Sequence, residues 1–192
     1  MYKIESFTQL KEFIRCDLYR YIGKTVGNGD LLKGYFRIPG FRYSFWLRCA
    51  NYYSGRNKIA GLYCRLRLRH YSIKYGIQIP YPTNINKGLY IGHFGDIVVN
   101  LNATLGKNVN ISQGVTIGQA NRGAFKGAAI LGDEVYIAPG AKIVGKITIG
   151  NNVAIGANAV ITRDVPDDAV VVGIPGKIIS YDGATGYIEK KV

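Results

Sequence analysis

The chain has 192 residues, which is enough for one domain with a hydrophobic core and a small appendage. Its composition excludes a collagen, a coiled coil and a disulfide-stabilised miniprotein, and its formal net charge is +13. Most of this charge lies in residues 1–95, which carry 16 basic and 4 acidic side chains, whereas residues 96–192 carry 9 and 8. Twelve of the 15 tyrosines and the single tryptophan also precede residue 96. The sequence therefore divides into a basic, aromatic half and a nearly neutral half.

Cysteine usage and hydropathy indicate the compartment. Cys16, Cys49 and Cys64 are too few, and odd in number, for a disulfide framework. The first residues lack the apolar core of a signal peptide, and no apolar run approaches the roughly 18 residues of a membrane-spanning helix. We therefore expect a reduced, soluble protein of the cytoplasm, with the inner face of the cytoplasmic membrane as an alternative location.

Three segments of the first half have apolar residues at helical spacing. Residues 6–23, 41–54 and 58–75 are predicted to form helices, with glycines between them. We take residues 1–75 as a helical N-terminal region. Such a region would cover the open end of the domain that follows, whose strand edges would otherwise be unpaired.

The basic residues of the helical region allow three interpretations. They lie near aromatic residues, in a group comprising Lys58, Arg65, Arg67, Arg69, Lys74, Trp46, Tyr52, Tyr53 and Tyr63. A solvated helix face is the simplest interpretation, and peripheral contact with an anionic membrane surface or a polyprenyl-diphosphate-linked glycan is the second. Nucleic acid is the third, but the sequence contains no nucleic-acid-binding motif, so we do not expect it as a partner.

In the second half, Ile or Leu recurs every six residues. The positions are 79, 85, 91 and 97, then 105, 111 and 117, then 131, 137, 143, 149, 155 and 161. A period of six fits neither a helix nor a plain strand, but it fits a short strand followed by a tight turn. Three hexads closing one turn of 18 residues predict a triangular solenoid whose aliphatic residues stack inward. The repeat is interrupted twice, by two extra residues between Ile97 and Leu105 and by eight between Ile117 and Leu131.

Three stretches of the repeat carry a family resemblance: IGHFGDIVVN, ISQGVTIGQANRG and IGANAVITRDVPDDAVVVGIPGKII. They resemble the hexapeptide-repeat acyltransferases, in particular the serine acetyltransferases and the capsular or exopolysaccharide O-acetyltransferases, over roughly residues 75–180. The resemblance implies a mainly β fold, a left-handed parallel β-helix with an N-terminal α-helical cap. It also implies a homotrimer and acetyl-CoA as co-substrate. On this basis we place the β-helix at residues 76–180, an excursion loop at 118–130 and a C-terminal tail at 181–192.

His93 is the candidate catalytic residue. It is one of two histidines, and it lies within a hexad but away from the inward aliphatic position. The resemblance implies that His93 is a general base, which takes the proton of an acceptor hydroxyl as the oxygen attacks the thioester. Transfer is then direct, without an acyl-enzyme. Asp96, three residues later, is a candidate for orienting the imidazole, and an ordinary corner residue is the alternative.

Two departures from the family pattern guide the prediction of the acceptor. The serine-specific members carry an aspartate fifteen residues before the base and another acid immediately before it, where this protein has Gln78 and Gly92. Residues 31–95 contain no Asp or Glu and 11 Lys or Arg, which suits an ammonium group poorly. We therefore expect an acceptor hydroxyl on a surface-polysaccharide sugar or its lipid-linked precursor, with Gln78 and Gly92 beside the substrate. The alternatives are serine O-acetylation in cysteine biosynthesis and a non-catalytic β-helix that acts as an assembly or membrane adaptor.

The resemblance also implies where acetyl-CoA binds: along the outside of the coils, between neighbouring subunits. The residues assigned to the coenzyme are Gly118, Gln119, Ala138, Pro139, Gly156, Ala157, Thr162, Arg163 and Lys177. Pro139 and Ala157 would line the pantetheine arm, and the last three would meet the nucleotide or its phosphates. Corner packing or a solvated surface is the alternative for each. No metal is expected, because one histidine on the coils cannot build a three-histidine site.

Overall fold

The computed structural model describes residues 3–192, in which four α-helices precede a coil of short strands. The helices are α1 (Phe7–Ile22), α2 (Asn28–Arg37), α3 (Pro39–Tyr53) and α4 (Lys58–Tyr75). Three of them lie where the sequence predicts helices, and α2 is the one that the sequence does not predict. Within residues 3–192, no helix is both long and apolar enough to cross a membrane.

Helix α2 is stabilised by tertiary contacts rather than by its own propensity. Its sequence contains two glycines, each of which disfavours a helix by roughly 1 kcal/mol. Gly34 fits this place because a Cβ atom there would lie only 2.7 Å from the side chain of Leu18 in α1. Tyr35 next to it accepts a hydrogen bond from Trp46 of α3 and shares one with Tyr71 of α4. Packing therefore holds a segment whose sequence does not predict a helix.

The second half of the chain is built from 16 short strands. They are β1 (Ile77–Gln78), β2 (Asn84–Ile85), β3 (Tyr90–Ile91), β4 (Ile97–Val99), β5 (Thr104–Leu105), β6 (Asn110–Ile111), β7 (Thr116–Ala120), β8 (Gly127–Ala128), β9 (Ile130–Leu131), β10 (Tyr136–Ile137), β11 (Lys142–Val144), β12 (Thr148–Ile149), β13 (Ala154–Ile155), β14 (Val160–Ile161), β15 (Val170–Val172) and β16 (Lys177–Ser180). Parallel pairing arranges them in three sheets, in the orders β1-β4-β7-β11-β14, β2-β5-β9-β12 and β3-β6-β10-β13-β15. These sheets are the three faces of a prism, and the predicted left-handed parallel β-helix is confirmed.

The aliphatic residue of each hexad points into the prism. The first face contributes Ile79, Val99, Ile117, Ile143 and Ile161, the second Ile85, Leu105, Leu131, Ile149 and Val165, and the third Ile91, Ile111, Ile137, Ile155 and Val171, none more than 5% exposed. Parallel strand pairs join successive rungs in register. Because a rung buries these residues only against its neighbours, the core is one continuous column.

The first face contains a register shift that the sequence does not reveal. The hexad count places two extra residues after Ile97, whereas the structure pairs Val99 with Ile117. The extra residues therefore lie between Ile91 and Val99, where the chain uses eight residues instead of six. Ile97 is buried as well, because it pairs with Ile77 directly after α4. Because Ile97 and Val99 both point inward from one strand, spacing alone does not tell which of them continues the aliphatic core of the prism.

Two tyrosines of the helices replace the strand that is missing above the first rung. The hydroxyl of Tyr43 in α3 accepts a hydrogen bond from the N–H of Ile79 at 3.0 Å and donates one to its C=O at 3.1 Å. Tyr21 of α1 makes the same two bonds with Ile91, at 3.0 and 3.1 Å. Because a hydroxyl can donate and accept at once, each tyrosine satisfies both polar groups of one edge residue.

A buried ion pair covers another part of the same edge. Asp17 of α1 accepts two hydrogen bonds from Arg48 of α3, at 2.9 and 3.1 Å, and neither side chain is more than 4% exposed. The same carboxylate accepts the N–H groups of Gly88 and Leu89, and Arg48 donates to the C=O of Ile85. Helices α1 and α3 therefore close the open end of the β-helix with side-chain hydrogen bonds.

The excursion at residues 118–130 is a β-hairpin rather than an irregular loop. Strand β7 continues past the inward column to Ala120, and Gln119 pairs with Ala128 of β8 in antiparallel fashion. Residues 121–126 form its exposed turn. The hairpin thus projects from the first face of the prism in its third rung.

The last residues return along the outside of the prism towards the helices. Strand β16 pairs antiparallel with β15, and beyond it the ring of Tyr187 stacks on Tyr136 with centroids 4.3 Å apart. Lys190 then donates to the C=O of Tyr21 in α1 at 2.7 Å. Segment 181–192 therefore connects the lower rungs back to the helical cap.

Candidate active site

The corner between β3 and β4 is longer than its equivalents in the rungs below. Between Ile91 and Val99 the chain uses eight residues, whereas the next three corners between the third and first faces use six. Two residues of this corner have left-handed backbone conformations, Gly95 with φ 121° and Asp96 with φ 52°. Such conformations are accessible to glycine without strain and are more common for aspartate than for most residues. We call residues 92–96 the histidine loop.

The histidine loop is anchored on two sides. The ring of Phe94 packs on Tyr75, the last residue of α4, with centroids 5.1 Å apart. The C=O of Gly95 accepts the N–H of Gly114 in the second rung at 2.8 Å. The loop is therefore held between the helical cap and the coil, which limits the motion of the imidazole that it carries.

The imidazole of His93 is exposed, and it makes no hydrogen bond or ion pair within the described part of the chain. Gly92 precedes it and is also exposed, and a Cβ atom on this glycine would lie 3.0 Å from the ring of Tyr90. Both ring nitrogens are thus available to a substrate. An accessible, unpaired imidazole on an anchored loop suits a general base.

Asp96 is the only acidic residue between positions 31 and 132. Its side chain is exposed, and no hydrogen bond joins it to His93. The structure therefore does not bring Asp96 into the orienting position that the sequence suggests for it. Among the described residues, no three His, Cys, Asp or Glu side chains lie close enough to hold a metal ion.

Gln78 lies on the strand next to the one that follows the histidine loop. It is exposed on β1 and pairs with Val98 of β4. Together with Arg65 and Arg69 of α4 it lines a surface cavity of about 370 Å³. The charged side chains of this cavity are both cations, so it suits an anion. No hydrogen bond joins Gln78 to His93.

Three residues form a column along one edge of the prism, and the histidine loop lies at its upper end. Gln113, Pro139 and Ala157 each follow the inward isoleucine of the third face by two residues, and strand pairing stacks those isoleucines. The N–H of Gly140 donates to the C=O of Gln113, and that of Asn158 to the C=O of Pro139, both at 2.9 Å. In the first rung the equivalent acceptor is Gly95, so the two extra residues of the histidine loop place His93 outside this stack. We call Gln113, Pro139 and Ala157 the corner column.

Gln113 is the member of the corner column that the sequence argument missed. Its side-chain oxygen is buried and has no hydrogen-bond partner among the described residues, while its backbone carbonyl oxygen accepts the N–H of Gly140 at 2.9 Å. Buried polar atoms ordinarily have a partner, and no described residue supplies one for this oxygen. The available signal was its hexad offset, which equals that of His93.

Four other predicted coenzyme residues lie on or near the first and third faces. Ala138 is buried and Gly156 half-buried, and both adjoin the corner column in the third and fourth rungs. Gly118 and Gln119 lie in β7, where the chain leaves the prism for the hairpin, and Gln119 donates to Asn121 at 2.7 Å. Of these four residues, only Ala138 and Gly156 lie at the edge between the third and first faces, where the histidine loop also lies.

The three residues assigned to the nucleotide end lie farthest from the helices. Thr162 and Arg163 follow β14 in the fifth rung and are exposed. Lys177 begins β16, pairs with Val172 and is exposed as well. Four rung spacings separate this end from the histidine loop, about 19 Å along the prism. Both cations are accessible to an anionic group.

Known proteins share both the repeat and the sequence of this region. Residues 128–163 match the family described as bacterial transferase hexapeptide (six repeats). The serine acetyltransferase of Staphylococcus aureus is 45% identical over 108 residues, which are 56% of this chain and 51% of the relative. The chain therefore spans about half the length of the curated relatives it matches.

Solved structures extend the similarity to the helices. The serine acetyltransferase of Neisseria gonorrhoeae in complex with serine has a TM-score of 0.72 and 26% identity, and the match covers 91% of this chain and 71% of that one. The serine acetyltransferase of Brucella abortus in complex with coenzyme A has a TM-score of 0.76 and 26% identity, covering 93% and 70%. The match therefore includes most of the N-terminal helices as well as the coil.

These similarities correct the predicted acceptor. The relatives and the structural neighbours are serine acetyltransferases, so a surface-polysaccharide sugar or its lipid-linked precursor is wrong as the main prediction, and the serine alternative is favoured. The count of charge over residues 31–95 did not include Asp96, a carboxylate in the histidine loop. The predicted resemblance itself is confirmed: the coil of this protein has the hexapeptide repeat of the bacterial transferases on the fold of the serine acetyltransferases.

Proposed function

We propose that this protein transfers the acetyl group of acetyl-CoA to the hydroxyl of L-serine. The observation that carries the proposal is the exposed, unpaired imidazole of His93 in the lengthened corner of a β-helix related to serine acetyltransferases. Structural neighbours in complex with serine and with coenzyme A support both substrates.

The proposed chemistry is a direct transfer in a ternary complex. The serine hydroxyl attacks the thioester carbonyl while a ring nitrogen of His93 takes its proton, which typically contributes about 10²–10⁴-fold to the rate. When the tetrahedral intermediate collapses, the carbon–sulfur bond breaks and the imidazolium returns the proton to the leaving thiolate. Acetylserine and coenzyme A are the products, and His93 ends neutral.

We assign the ammonium group of serine to Asp96. This residue is the only acidic one between positions 31 and 132, it lies three residues from His93 in the same loop, and its side chain is exposed and unpaired. The attraction between a carboxylate and an ammonium group is strongest where water is partly excluded. Asp96 would therefore fix the substrate rather than orient the imidazole.

We assign the pantetheine arm to the corner column and the nucleotide end to the cations of the fifth rung. Pro139 and Ala157 lie along the edge below the histidine loop, and Arg163 and Lys177 supply positive charge farther along the prism. The proposed active form is a homotrimer in which the arm lies at the seam between two copies. Light scattering in solution tests this assembly, and a stable monomer that retains full activity would contradict it.

The decisive experiment compares the two histidines of the protein. Release of coenzyme A thiol is measured with acetyl-CoA and L-serine for the wild type, for His93→Ala and for His70→Ala. His70 is an exposed residue of α4 and serves as the matched control. We expect His93→Ala to lose about 10²–10⁴-fold in kcat/KM and His70→Ala to match the wild type. Equal activity of all three proteins, or thiol release that is independent of serine, would reject the proposal.

Asp96→Asn separates the two roles of the carboxylate. If Asp96 holds the ammonium group, the variant has a raised KM for L-serine, while kcat and its pH profile change little. If it orients His93 instead, kcat falls and its pH profile shifts. N-Acetyl-L-serine lacks the ammonium group. The KM values of the wild type and Asp96→Asn should therefore differ less for this acceptor than for L-serine.

A further inference from the structure

Helix α4 presents an apolar face to solvent. Ile59, Leu62, Tyr63, Leu66 and Ile73 are 85%, 51%, 56%, 57% and 75% exposed, respectively. Their spacing of i, i+3, i+4, i+7 and i+14 places them on one side of the helix, and we call them the α4 stripe. The other side of α4 carries the buried residues Gly61, Cys64, Leu68, Tyr71 and Tyr75. The helix therefore has two apolar sides, of which only one is covered by the described residues.

Cations border the α4 stripe, and no acidic residue balances them. Lys58, Arg65 and Arg69 are exposed, make no ion pair within residues 3–192, and occupy helix positions adjacent to Leu62. Residues 31–95, which include α4, contain no Asp or Glu. The surface around the stripe is therefore both apolar and strongly positive.

Trp46 and Arg67, which the sequence groups with the cations of α4, do not belong to this exposed surface. Trp46 is 9% exposed, and the guanidinium of Arg67 lies over its ring at 5.4 Å. Leu32 and Phe36 of α2, in contrast, are 63% and 66% exposed. The large exposed apolar residues of the cap are thus the α4 stripe, these two residues of α2, and Phe7 of α1, which is 51% exposed.

We propose that the α4 stripe docks this protein on an anionic membrane surface. A helix of this kind lies in the plane of the interface, with its apolar side chains at the acyl boundary and its Lys and Arg at the headgroups. The long stems of these cations add apolar contact while their charged ends reach lipid phosphates. The docking goes beyond the proposed acetyl transfer and does not depend on it.

The charge pattern favours lipid over a two-fold contact with a second copy of this protein. In a two-fold contact the same patch would face itself, so Lys58, Arg65 and Arg69 would meet their own equivalents. No acidic residue of 31–95 is present to separate these like charges, whose repulsion grows as water is removed. A layer of anionic headgroups supplies the complementary charge.

The test measures co-sedimentation of the full-length protein with vesicles. We expect binding to vesicles of phosphatidylcholine mixed with phosphatidylglycerol, little binding to phosphatidylcholine alone, and release at high salt because screening weakens the attraction. Removal of three cations, in Lys58→Gln with Arg65→Gln and Arg69→Gln, should weaken partitioning by about 100-fold.

A second variant tests the apolar contact. Ile59→Gln together with Leu66→Gln should weaken partitioning by about 10-fold or more. The matched control is Ile174→Gln together with Ile179→Gln, which changes two apolar residues that are 74% and 63% exposed at the far end of the β-helix. This control should bind as the wild type does. Because all four positions are exposed, unchanged thermal unfolding shows that each variant is folded.

Two outcomes would overturn the docking proposal. One is equal binding of the wild type and the α4 variants, or equal binding to both kinds of vesicle. The other is a smaller oligomer for the α4 variants in light scattering, with no vesicle binding by the wild type, which would make the stripe an interface between copies. Serine-dependent thiol release is measured on the wild-type protein without vesicles, and neither outcome bears on it, so this failure is distinguishable from failure of the proposed activity.

Discussion

Backbone polar groups at the edge of a sheet need partners, and the two halves of this protein provide them differently. In the β-helix, the N–H and C=O groups of one rung bond to the next rung, and the side chains contribute mainly apolar stacking. Above the first rung there is no further strand among the described residues, and individual side chains of the helices supply the bonds. Tyr21, Tyr43, Asp17 and Arg48 each contact backbone groups of that rung.

The two halves therefore differ in how much stability a single substitution removes. In the β-helix, apolar packing is distributed over equivalent rungs, so a substitution in one rung leaves the packing of the others in place. A buried polar contact has no substitute, because removal of one partner leaves the other desolvated and unpaired. Single substitutions in the cap should therefore cost as much as, or more than, large truncations in the coil.

The largest effect is expected for Asp17→Ala. This change leaves the buried guanidinium of Arg48 and the N–H groups of Gly88 and Leu89 without their acceptor. The free energy of unfolding, measured in urea, should fall by about 3–5 kcal/mol. Glu12→Ala is the control on the same helix, because it breaks only the exposed Lys87–Glu12 pair and should cost less than about 1 kcal/mol. A similar loss in both variants would contradict the contrast between buried and exposed pairs.

Ile143→Ala tests the coil in its fourth rung. Ile143 is 0% exposed in the centre of the column, so truncation leaves a cavity and should cost about 2–5 kcal/mol. Its neighbour Val144 points outward and is half-buried, so Val144→Ala should cost clearly less. Urea unfolding of both variants checks the inward assignment. Equal losses would mean that the alternation on this strand does not separate core from surface.

Most of the coil could be predicted from the sequence because its stabilising contacts repeat. Equal spacing of aliphatic residues specifies both the rung length and the inward face. The shift at Val99 could not be predicted, because Ile97 is equally apolar and equally buried, and only strand pairing tells the two apart. Helix α2 was missed because its glycines oppose a helix locally, while Gly34 fits against Leu18 only in the folded protein.

The candidate site was predicted in its parts rather than in its arrangement. The hexad offset of His93 predicted an outward side chain, but the two extra residues of its loop place it out of line with Pro139 and Ala157. The lengthened corner could not be predicted, since it depends on the register shift. The acceptor was mispredicted because charge was counted along the sequence, and such a count does not tell which charged side chains lie in the histidine loop, where Asp96 is exposed.

Tyr43→Phe tests the hydroxyl contacts of the cap with little change in volume. The variant leaves the N–H and C=O of Ile79 without partners in a buried place, which should cost about 1–3 kcal/mol. Tyr63→Phe removes a hydroxyl from an exposed side chain of α4 and should cost almost nothing. Thermal unfolding compares the stability of both variants with that of the wild type. Wild-type stability in Tyr43→Phe would show that water satisfies this edge equally well.

The smallest effect is the loss of stability at alkaline pH. Burial raises the pKa of Tyr43 to about 12, whereas a tyrosine in the unfolded state ionises near its ordinary value of about 10. Below pH 10 both states keep the proton and the contribution is complete. Between about pH 10 and 12 the unfolded state loses its proton first, so stability falls, by about 1.4 kcal/mol at pH 11. Burial also raises the pKa of Tyr21, which adds a loss of the same sign. Urea unfolding at pH 8 and pH 11 should therefore show a smaller drop in Tyr43→Phe than in the wild type, and an equal drop would mean that this hydroxyl is accessible to solvent in the folded protein.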